Sequence, residues 1–517
     1  MNVSEAILRT LLANGVEVCF GNPGTSEMHL VASFDRVGGM RPVLGLFEGV
    51  CTGAADGYAR MADKPAATLL HLAPGLGNGF ANLHNAWRGQ SRMVNLVGDH
   101  ATYHRQYDAP LQSDIHGVAK PFSAWIGDPA SGAEAVSMTA EAVSVAMRPN
   151  GGIATLVVPA DISWSDAGAL PEVKSAPPAA AKVDARAIKS AAEALRAPGQ
   201  KVLFVGGRAG RAAPLHIAGA IAAKTGAKLV SETFVPRQER GRGRARPERL
   251  AYLGEMALAQ LQGTKSAVLV GAKAPVAFFA YPEKPSTFIP KDCRVETPWT
   301  SQHDVTEVLA ALADELSVDT KAYEPPVAQA MAMKDGPLTG ETLGLAFAAL
   351  LPENAIVVDE AITGGLWAGI ASEGAAPHDW LTLTGGAIGD GIPMAVGAKV
   401  ACPGRPVIGL QADGSALYTI QGLWTAAREN LHIVTILLNN RSYQILNMEL
   451  DRVGATAQSD RSRSLLALDK PTIDFTSIAK GFGVTAQRAT TAEEFRNAFK
   501  RALAGEGPQL IEAIIQG

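Results

Sequence analysis

The sequence predicts an α/β protein made of three consecutive domains, each a doubly wound parallel sheet. Three observations predict it. The chain has 517 residues, too long for one hydrophobic core and enough for about three domains of roughly 150–200 residues. Short apolar strand patterns alternate with helical ones throughout, the pattern of parallel strands covered by helices on both faces. Two looser stretches, an Ala- and Pro-rich one at 166–185 and another at 319–338, interrupt the alternation and read as linkers. The expected domains are 1–165, 186–318 and 340–517.

In the first domain Ser4 is expected to precede a helix that runs to about Asn14. Val16–Phe20 then reads as a strand and Gly21-Asn22-Pro23-Gly24 as a turn. Thr68–His71, Met93–Val97 and Ala154–Val158 are further buried strands. The second domain has strands at Lys201–Val205, Lys228–Val230 and Ala267–Val270. The third has them at Ala355–Val358, Pro406–Leu410, Ile433–Leu438 and Leu510–Ile515. No short-period repeat is present.

Composition is that of an ordinary globular protein, 47% hydrophobic and 19% charged. The net charge of −4 favours neither nucleic acid nor an acidic membrane. Cys19, Cys51, Cys293 and Cys402 are scattered, with neither metal-type spacing nor a disulfide framework. The N-terminus has early charges and no apolar run, unlike a signal peptide. No stretch approaches about 18 uninterrupted apolar residues, so no membrane span is expected. The expected setting is cytoplasmic.

The segment Val407–Ser415 ends a buried strand in the polar turn Asp413-Gly414-Ser415. At the carboxyl end of a parallel strand such a turn faces the crevice where α/β ligands bind. Its backbone N–H groups, with a helix expected from about Ala416, suit a diphosphate. Asp413 offers a hard oxygen ligand for Mg²⁺. The next strand ends at Asn439-Asn440-Arg441-Ser442. A right-handed strand–helix–strand unit sets that turn beside Asp413. The Asn440 side chain and the Ser442 carbonyl can then complete an oxygen cage. Either motif alone reads as a plain turn; at the ends of neighbouring strands the two read as one site.

This pairing resembles the thiamine-diphosphate signature, Gly-Asp-Gly followed after about two dozen residues by Asn-Asn. Here Ala412 replaces the first glycine, and twenty-four residues separate Gly414 from Asn439. A second Gly-Asp-Gly at 389–391 lies forty-seven residues before Asn439, too far for one strand–helix–strand unit, and is rejected as the metal site. Over essentially its full length the chain resembles the family of acetolactate synthase, pyruvate oxidase and benzoylformate decarboxylase. The resemblance implies an N-terminal pyrimidine-binding domain, a middle domain and a C-terminal diphosphate-binding domain.

It also implies roles for particular residues. Glu48, in Leu46-Phe47-Glu48-Gly49, matches the glutamate that bonds the cofactor's pyrimidine nitrogen. Asn22, Pro23 and Gly24 match the first active-site turn, and Asn78 ends the glycine-rich turn Pro74-Gly75-Leu76-Gly77-Asn78 near the substrate. Gly386 precedes Ile388, which falls at the apolar wedge that holds the cofactor bent. Gly414, Ser415 and Tyr443 fall at cofactor positions. Asp413, Asn440 and Ser442 fall at the Mg²⁺ site.

The look is nearest to benzoylformate decarboxylase. His71 stands where that enzyme has an active-site histidine, and imidazole can move protons near neutral pH. The second, middle-domain histidine of that enzyme is missing from the corresponding stretch, Pro275–Tyr281. Gln112 lies one place beyond the glutamine of the acetolactate synthase motif and is a third catalytic candidate. The turn Gly206-Gly207-Arg208-Ala209-Gly210 is only superficially a dinucleotide turn, so FAD is not expected. The arginine-rich run Arg237–Arg249 reads as an exposed loop. The resemblance implies decarboxylation of a 2-oxo acid, carboligation to an aldehyde or ketone acceptor, or both. The alternative is acetolactate formation from pyruvate. In the family Glu48 and the Asp413 site meet across a subunit interface, which implies a homodimer or homotetramer.

Overall fold

A computed structural model describes residues 1–455 and 459–516. It contains three sheets. The first comprises β1 (Val18–Asn22), β2 (Arg41–Leu44), β3 (Ala66–Leu70), β4 (Met93–Asp99), β5 (Trp125–Gly127) and β6 (Ile153–Pro159). These are all parallel, in the order β2-β1-β3-β4-β6-β5. The middle segment supplies β7 (Gln200–Val205), β8 (Lys228–Ser231), β9 (Arg237–Arg240), β10 (Glu248–Arg249), β11 (Thr264–Val270) and β12 (Arg294–Glu296). Five of them form the parallel sheet β10-β8-β7-β11-β12.

The third sheet comprises β13 (Ile356–Glu360), β14 (His378–Thr382), β15 (Val407–Ala412), β16 (Ile433–Asn439), β17 (Thr485–Ala489) and β18 (Gln509–Ile514). Its order is β17-β18-β16-β15-β13-β14-β9. All seven residues of β4 and of β16 are buried, as mostly apolar strands with helices on both faces should be. Among the described residues no helix is long and apolar enough to cross a membrane.

Four local expectations are corrected. The first helix, Val3–Ala13, is capped by Asn2, which accepts the Glu5 N–H, and Ser4 is buried inside it. Asn2 offers the same short polar cap two residues earlier. The stretch 72–78 is a helix, Leu72–Asn78, rather than an open turn; Pro74 in its first turn lacks only an N–H that has no intrahelical partner there. The helix after β15 begins at Asp413 itself and ends at Ala416, and a second helix, Gly422–Arg428, makes the crossover to β16. The arginine run is no free loop. Arg237–Arg240 pairs antiparallel with β14, on the edge of the third sheet. Arg240 lies over the Trp380 ring at 4.8 Å.

The first and third sheets are joined by two helices, Glu48–Ala62 and Gly391–Ala401, which cross with backbone on backbone. A methyl at Gly57 would overlap the Met394 carbonyl, and one at Gly397 would overlap the Ala54 carbonyl. Arg60 locks the crossing. It pairs with buried Asp56 and donates to the carbonyls of Thr382 at 2.7 Å and Pro236 at 3.1 Å. Gly397→Ala is expected to destabilise the protein by about 2–3 kcal/mol. Chemical denaturation measures this, and an unchanged midpoint would contradict the backbone contact.

Candidate active site

In both outer sheets the strand order reverses around one strand, and ligands of α/β proteins bind at such reversals. In the first sheet the reversal lies between β1 and β3. Asn22-Pro23-Gly24 leaves β1 there and His71 leaves β3. In the third it lies between β13 and β15, where Glu360 and Asp413 end or follow the strands.

At the first reversal Glu48 opens its helix, where the helix dipole favours a carboxylate. It is 7% exposed. Its Oε2 accepts from the Asn78 amide at 3.0 Å, and among the described residues its Oε1 has no hydrogen bond. His71 directs Nδ1 to Glu27 Oε2 at 2.8 Å. The same Glu27 oxygen accepts the Gly24 N–H at 2.6 Å. Glu27 is fully buried and its Oε1 has no partner. The ring of His71 occupies the space a Gly24 side chain would take. Glu27 was not singled out from the sequence. Its only signal there is its position three residues after Gly24 in the first turn.

At the second reversal Asp413 Oδ2 accepts the N–H groups of Asn440 at 3.1 Å and Arg441 at 2.6 Å, and Oδ1 accepts that of Gly414. Burial pushes the Asp413 carboxyl above the ordinary range, against these three donors. Asn440 Oδ1 accepts the Ser442 N–H at 2.9 Å. The Tyr443 ring lies where a Gly414 side chain would be, so this position needs glycine. Ser415 Oγ accepts from the Gln411 amide at 2.6 Å.

Gly386 has φ 75° and carries the Phe278 ring of the middle segment against it. Ile388 is half-buried in the same turn. Two non-glycine residues have left-handed backbones beside the candidates: Leu72 after His71, with φ 50°, and Arg441 between Asn440 and Ser442, with φ 59°. Such conformations cost about 1–3 kcal/mol each and cluster at functional sites.

The structure brings Glu48, Asn78, Glu27, His71 and Gly24 together around one crevice. It brings Asp413, Asn440, Ser442, Tyr443, Gly414 and Ser415 together at the other. Among the described residues no hydrogen bond joins the two groups. Gln112 joins neither by a hydrogen bond. It sits in a loop with its N–H on the Ala109 carbonyl and its Oε1 buried without a partner.

The second group suits a hard divalent cation. Among the described residues no cluster of three or more His, Cys, Asp or Glu could hold a metal. A cation at Asp413 would draw its other ligands from the Asn440 amide oxygen, the Ser442 carbonyl and bound phosphate, an all-oxygen set of the kind Mg²⁺ takes. The Gly414 and Ser415 amides at the helix start suit the phosphate itself.

Fold and crevices together define a cofactor-dependent enzyme of the thiamine diphosphate class. Residues 1–120 match the N-terminal TPP binding domain of thiamine pyrophosphate enzymes, and residues 365–513 match the C-terminal TPP binding domain. The chain belongs to this family. It is 51% identical, over 100% of its length and 99% of the relative's, to IlvX of Mycobacterium tuberculosis, named for an acetolactate synthase large subunit. It is 30% identical to benzoylformate decarboxylase of Pseudomonas aeruginosa, over 99% of each chain. The solved 4-hydroxybenzoylformate decarboxylase of Rhodococcus jostii superposes with a TM-score of 0.86 at 27% identity, covering 100% of this chain and 99% of that one.

Gly24→Ala is expected to break the His71–Glu27 pair and to destabilise the fold by about 1–3 kcal/mol. Urea denaturation tests the second expectation, and a structure of the variant with the pair intact would contradict the first.

Proposed function

We propose that the chain, with thiamine diphosphate and Mg²⁺, decarboxylates a small 2-oxo acid and can join the resulting fragment to a second carbonyl. The observation that carries this reading is Glu48: a buried carboxylate with one oxygen fixed by Asn78 and the other left for a ligand. Binding a diphosphate alone needs no such acid, which argues against a catalytically silent binding protein.

When bound, thiamine diphosphate supplies the electron sink for breaking the bond beside the substrate's carbonyl. The chain's own residues do the rest. Glu48 Oε1 holds a proton at the pyrimidine nitrogen, and Asn78 keeps the carboxylate aimed. Asp413, Asn440 and Ser442 hold Mg²⁺, while Gly414, Ser415 and Tyr443 seat the diphosphate. Gly386 and Ile388 would pack against the cofactor when it is bound.

Glu27 engages Nδ1 of His71, so Nε2 is the nitrogen left to exchange a proton with substrate. Among the described residues no histidine lies in 275–281, where Phe278 and Phe279 stand instead. That side supplies no imidazole, so His71 steers the choice between aldehyde release and carbon–carbon bond formation, with Gln112, in its separate loop, as a further candidate.

A homodimer or homotetramer is part of the proposal. Leu46 is 44% exposed two residues before Glu48, and Phe80 is 38% exposed two residues after Asn78. Apolar side chains clustered beside a half-built site suit a subunit interface.

The alternative is acetolactate synthesis from pyruvate, favoured by the name of the 51% identical relative. FAD is not part of the proposal: at the glycine turn of the middle segment Glu232 already takes the Gly207 N–H at 2.7 Å.

With Mg²⁺ and thiamine diphosphate, a panel of 2-oxo acids is expected to yield carbon dioxide, and product identification separates aldehyde from hydroxyketone and acetolactate. Glu48→Gln should lower kcat by about 100-fold or more. Asp413→Asn should lose Mg²⁺-dependent cofactor binding. Turnover undiminished in Glu48→Gln would contradict the assignment, as would a panel that releases no carbon dioxide.

A further inference from the structure

The Gly-Asp-Gly that spacing rejects as the metal site, Gly389-Asp390-Gly391, is buried where the first and third sheets meet. Asp390 is completely buried, and among the described residues neither of its carboxyl oxygens has a hydrogen-bond partner of good geometry; the Asn85 amide beside it donates instead to Asn82 Oδ1 at 3.3 Å and to the Ala387 carbonyl at 2.7 Å. The groups facing it come from every element packed around it. Helix Glu48–Ala62 presents Asp56 and Arg60, already paired with each other. Gly53 of that helix leaves so little room that a methyl there would come within 3.0 Å of Asp390 Oδ1 and 2.8 Å of Pro393. Strand β13 presents Glu360. Helix Phe80–Arg88 presents Asn85, and its His84 reaches the Gly385 carbonyl at 3.2 Å.

Glu360, 2% exposed, is treated quite differently. Its two oxygens accept the N–H groups on either side of Asp390, Gly389 at 2.5 Å and Gly391. The Gly385–Ile388 turn therefore hangs between two anchors. On one side Glu360 grips its end. On the other Asn85 donates to the Ala387 carbonyl and accepts the Ala387 N–H, while Asn82 bridges the carbonyls of Gly49 and Gly389.

Two acids share one dry site, and only one has donors. An ionised carboxylate needs donors or a cation, so the bare one must carry a proton. We propose that Glu360 is a positioning residue for the Gly385–Ile388 turn, an ionised clamp on its backbone, while Asp390 beside it plays no part in holding the turn and is a carboxylic acid kept neutral within the helix crossing. The role of the turn rests on the thiamine diphosphate reading above; the division of charge between the two acids does not.

Burial, reinforced by Asp56 and Glu360 and opposed by Arg60, moves the Asp390 carboxyl well above its ordinary value of 3.8. Burial also moves Glu360 up, to about 7, against its amide donors. The sign follows. An acid whose folded pKa is raised stabilises the fold most below its unfolded value, and that contribution is lost as pH rises toward and through the folded value. Asparagine at position 390 cannot lose it. Glu360 titrates in both proteins, so the difference between them isolates Asp390.

The test compares wild type, Asp390→Asn and Glu360→Gln. Thermal melting without cofactor, from about pH 5 to about pH 8, spans the window in which a raised acid loses stability. Wild type is expected to lose several degrees more than Asp390→Asn across it. Thiamine diphosphate with Mg²⁺ is then titrated by intrinsic fluorescence at about pH 8, above the value of about 7 to which burial moves Glu360 and hence where it is ionised. Asp390→Asn should bind as wild type does, because asparagine is a neutral isostere. Glu360→Gln should remain folded and bind about tenfold more weakly, the effect of one lost charge-assisted hydrogen bond.

Parallel melting curves for wild type and Asp390→Asn would overturn the neutral-acid assignment. Cofactor binding lost in Asp390→Asn but kept in Glu360→Gln would overturn the division of roles. A wild type that binds no thiamine diphosphate would sink the functional reading instead, and the melting difference would still decide the charge of Asp390.

Discussion

The crossing of helices Glu48–Ala62 and Gly391–Ala401 fixes the geometry of everything around it. Side chains are excluded from the contact at Gly57 and Gly397, so carbonyl oxygens lie where methyl groups would be. Such a contact has one register, since sliding by one residue would drive a side chain into a carbonyl. The first residue of one helix is Glu48. The residues leading into the other form the Gly385–Ile388 turn. Two pieces of a candidate site, more than 300 residues apart in the chain, are thereby set against each other by backbone packing.

That constraint brings electrostatic consequences. Close backbones leave little room for water, so the polar groups at the crossing must satisfy one another. Asp56, Arg60, Asn82, Asn85 and Glu360 do so, while Asp390 is left to be buried as the neutral acid proposed above, and Arg60 reaches all three segments of the chain. The crevices open at the strand-order reversals on either side of this dry, rigid region. The groups proposed to seat the cofactor are thus carried on strand ends and helix starts rather than on long loops. Within one chain no hydrogen bond among the described residues joins the Glu48 group to the Asp413 group, and in the proposed homo-oligomer a second copy would supply the missing half.

Much of this was legible in the sequence, for identifiable reasons. Buried parallel strands are nearly all apolar, so β4, β15 and β16 announce themselves, and the turns that end them place Asp413 beside Asn440. Glu48 and His71 were legible for the same reason, each following a short apolar run. What was not legible depends on tertiary contact. Glu27 looks like any helix-start acid until His71 and Gly24 close around it. Asp390 sits in a Gly-Asp-Gly that spacing sets aside as a metal site, and nothing local shows that the helix crossing buries it. The arginines at 237–240 look solvated by count. Their strand pairing depends on an edge, β14, that lies about 140 residues further along the chain. Caps shift by a residue or two because Asn2 and Ser4 offer nearly equivalent chemistry.

The proposed function depends on Glu48 acting on thiamine diphosphate seated at the Asp413 crevice. The most direct measurement is hydrogen–deuterium exchange at the thiazolium C2 of the bound cofactor, followed by NMR after acid quench, with Mg²⁺ and no substrate. Exchange on the wild-type protein is predicted to be much faster than on free thiamine diphosphate, and to fall back toward the free rate in Glu48→Gln with the cofactor still bound. Equal exchange rates for the wild-type and Glu48→Gln complexes would contradict it.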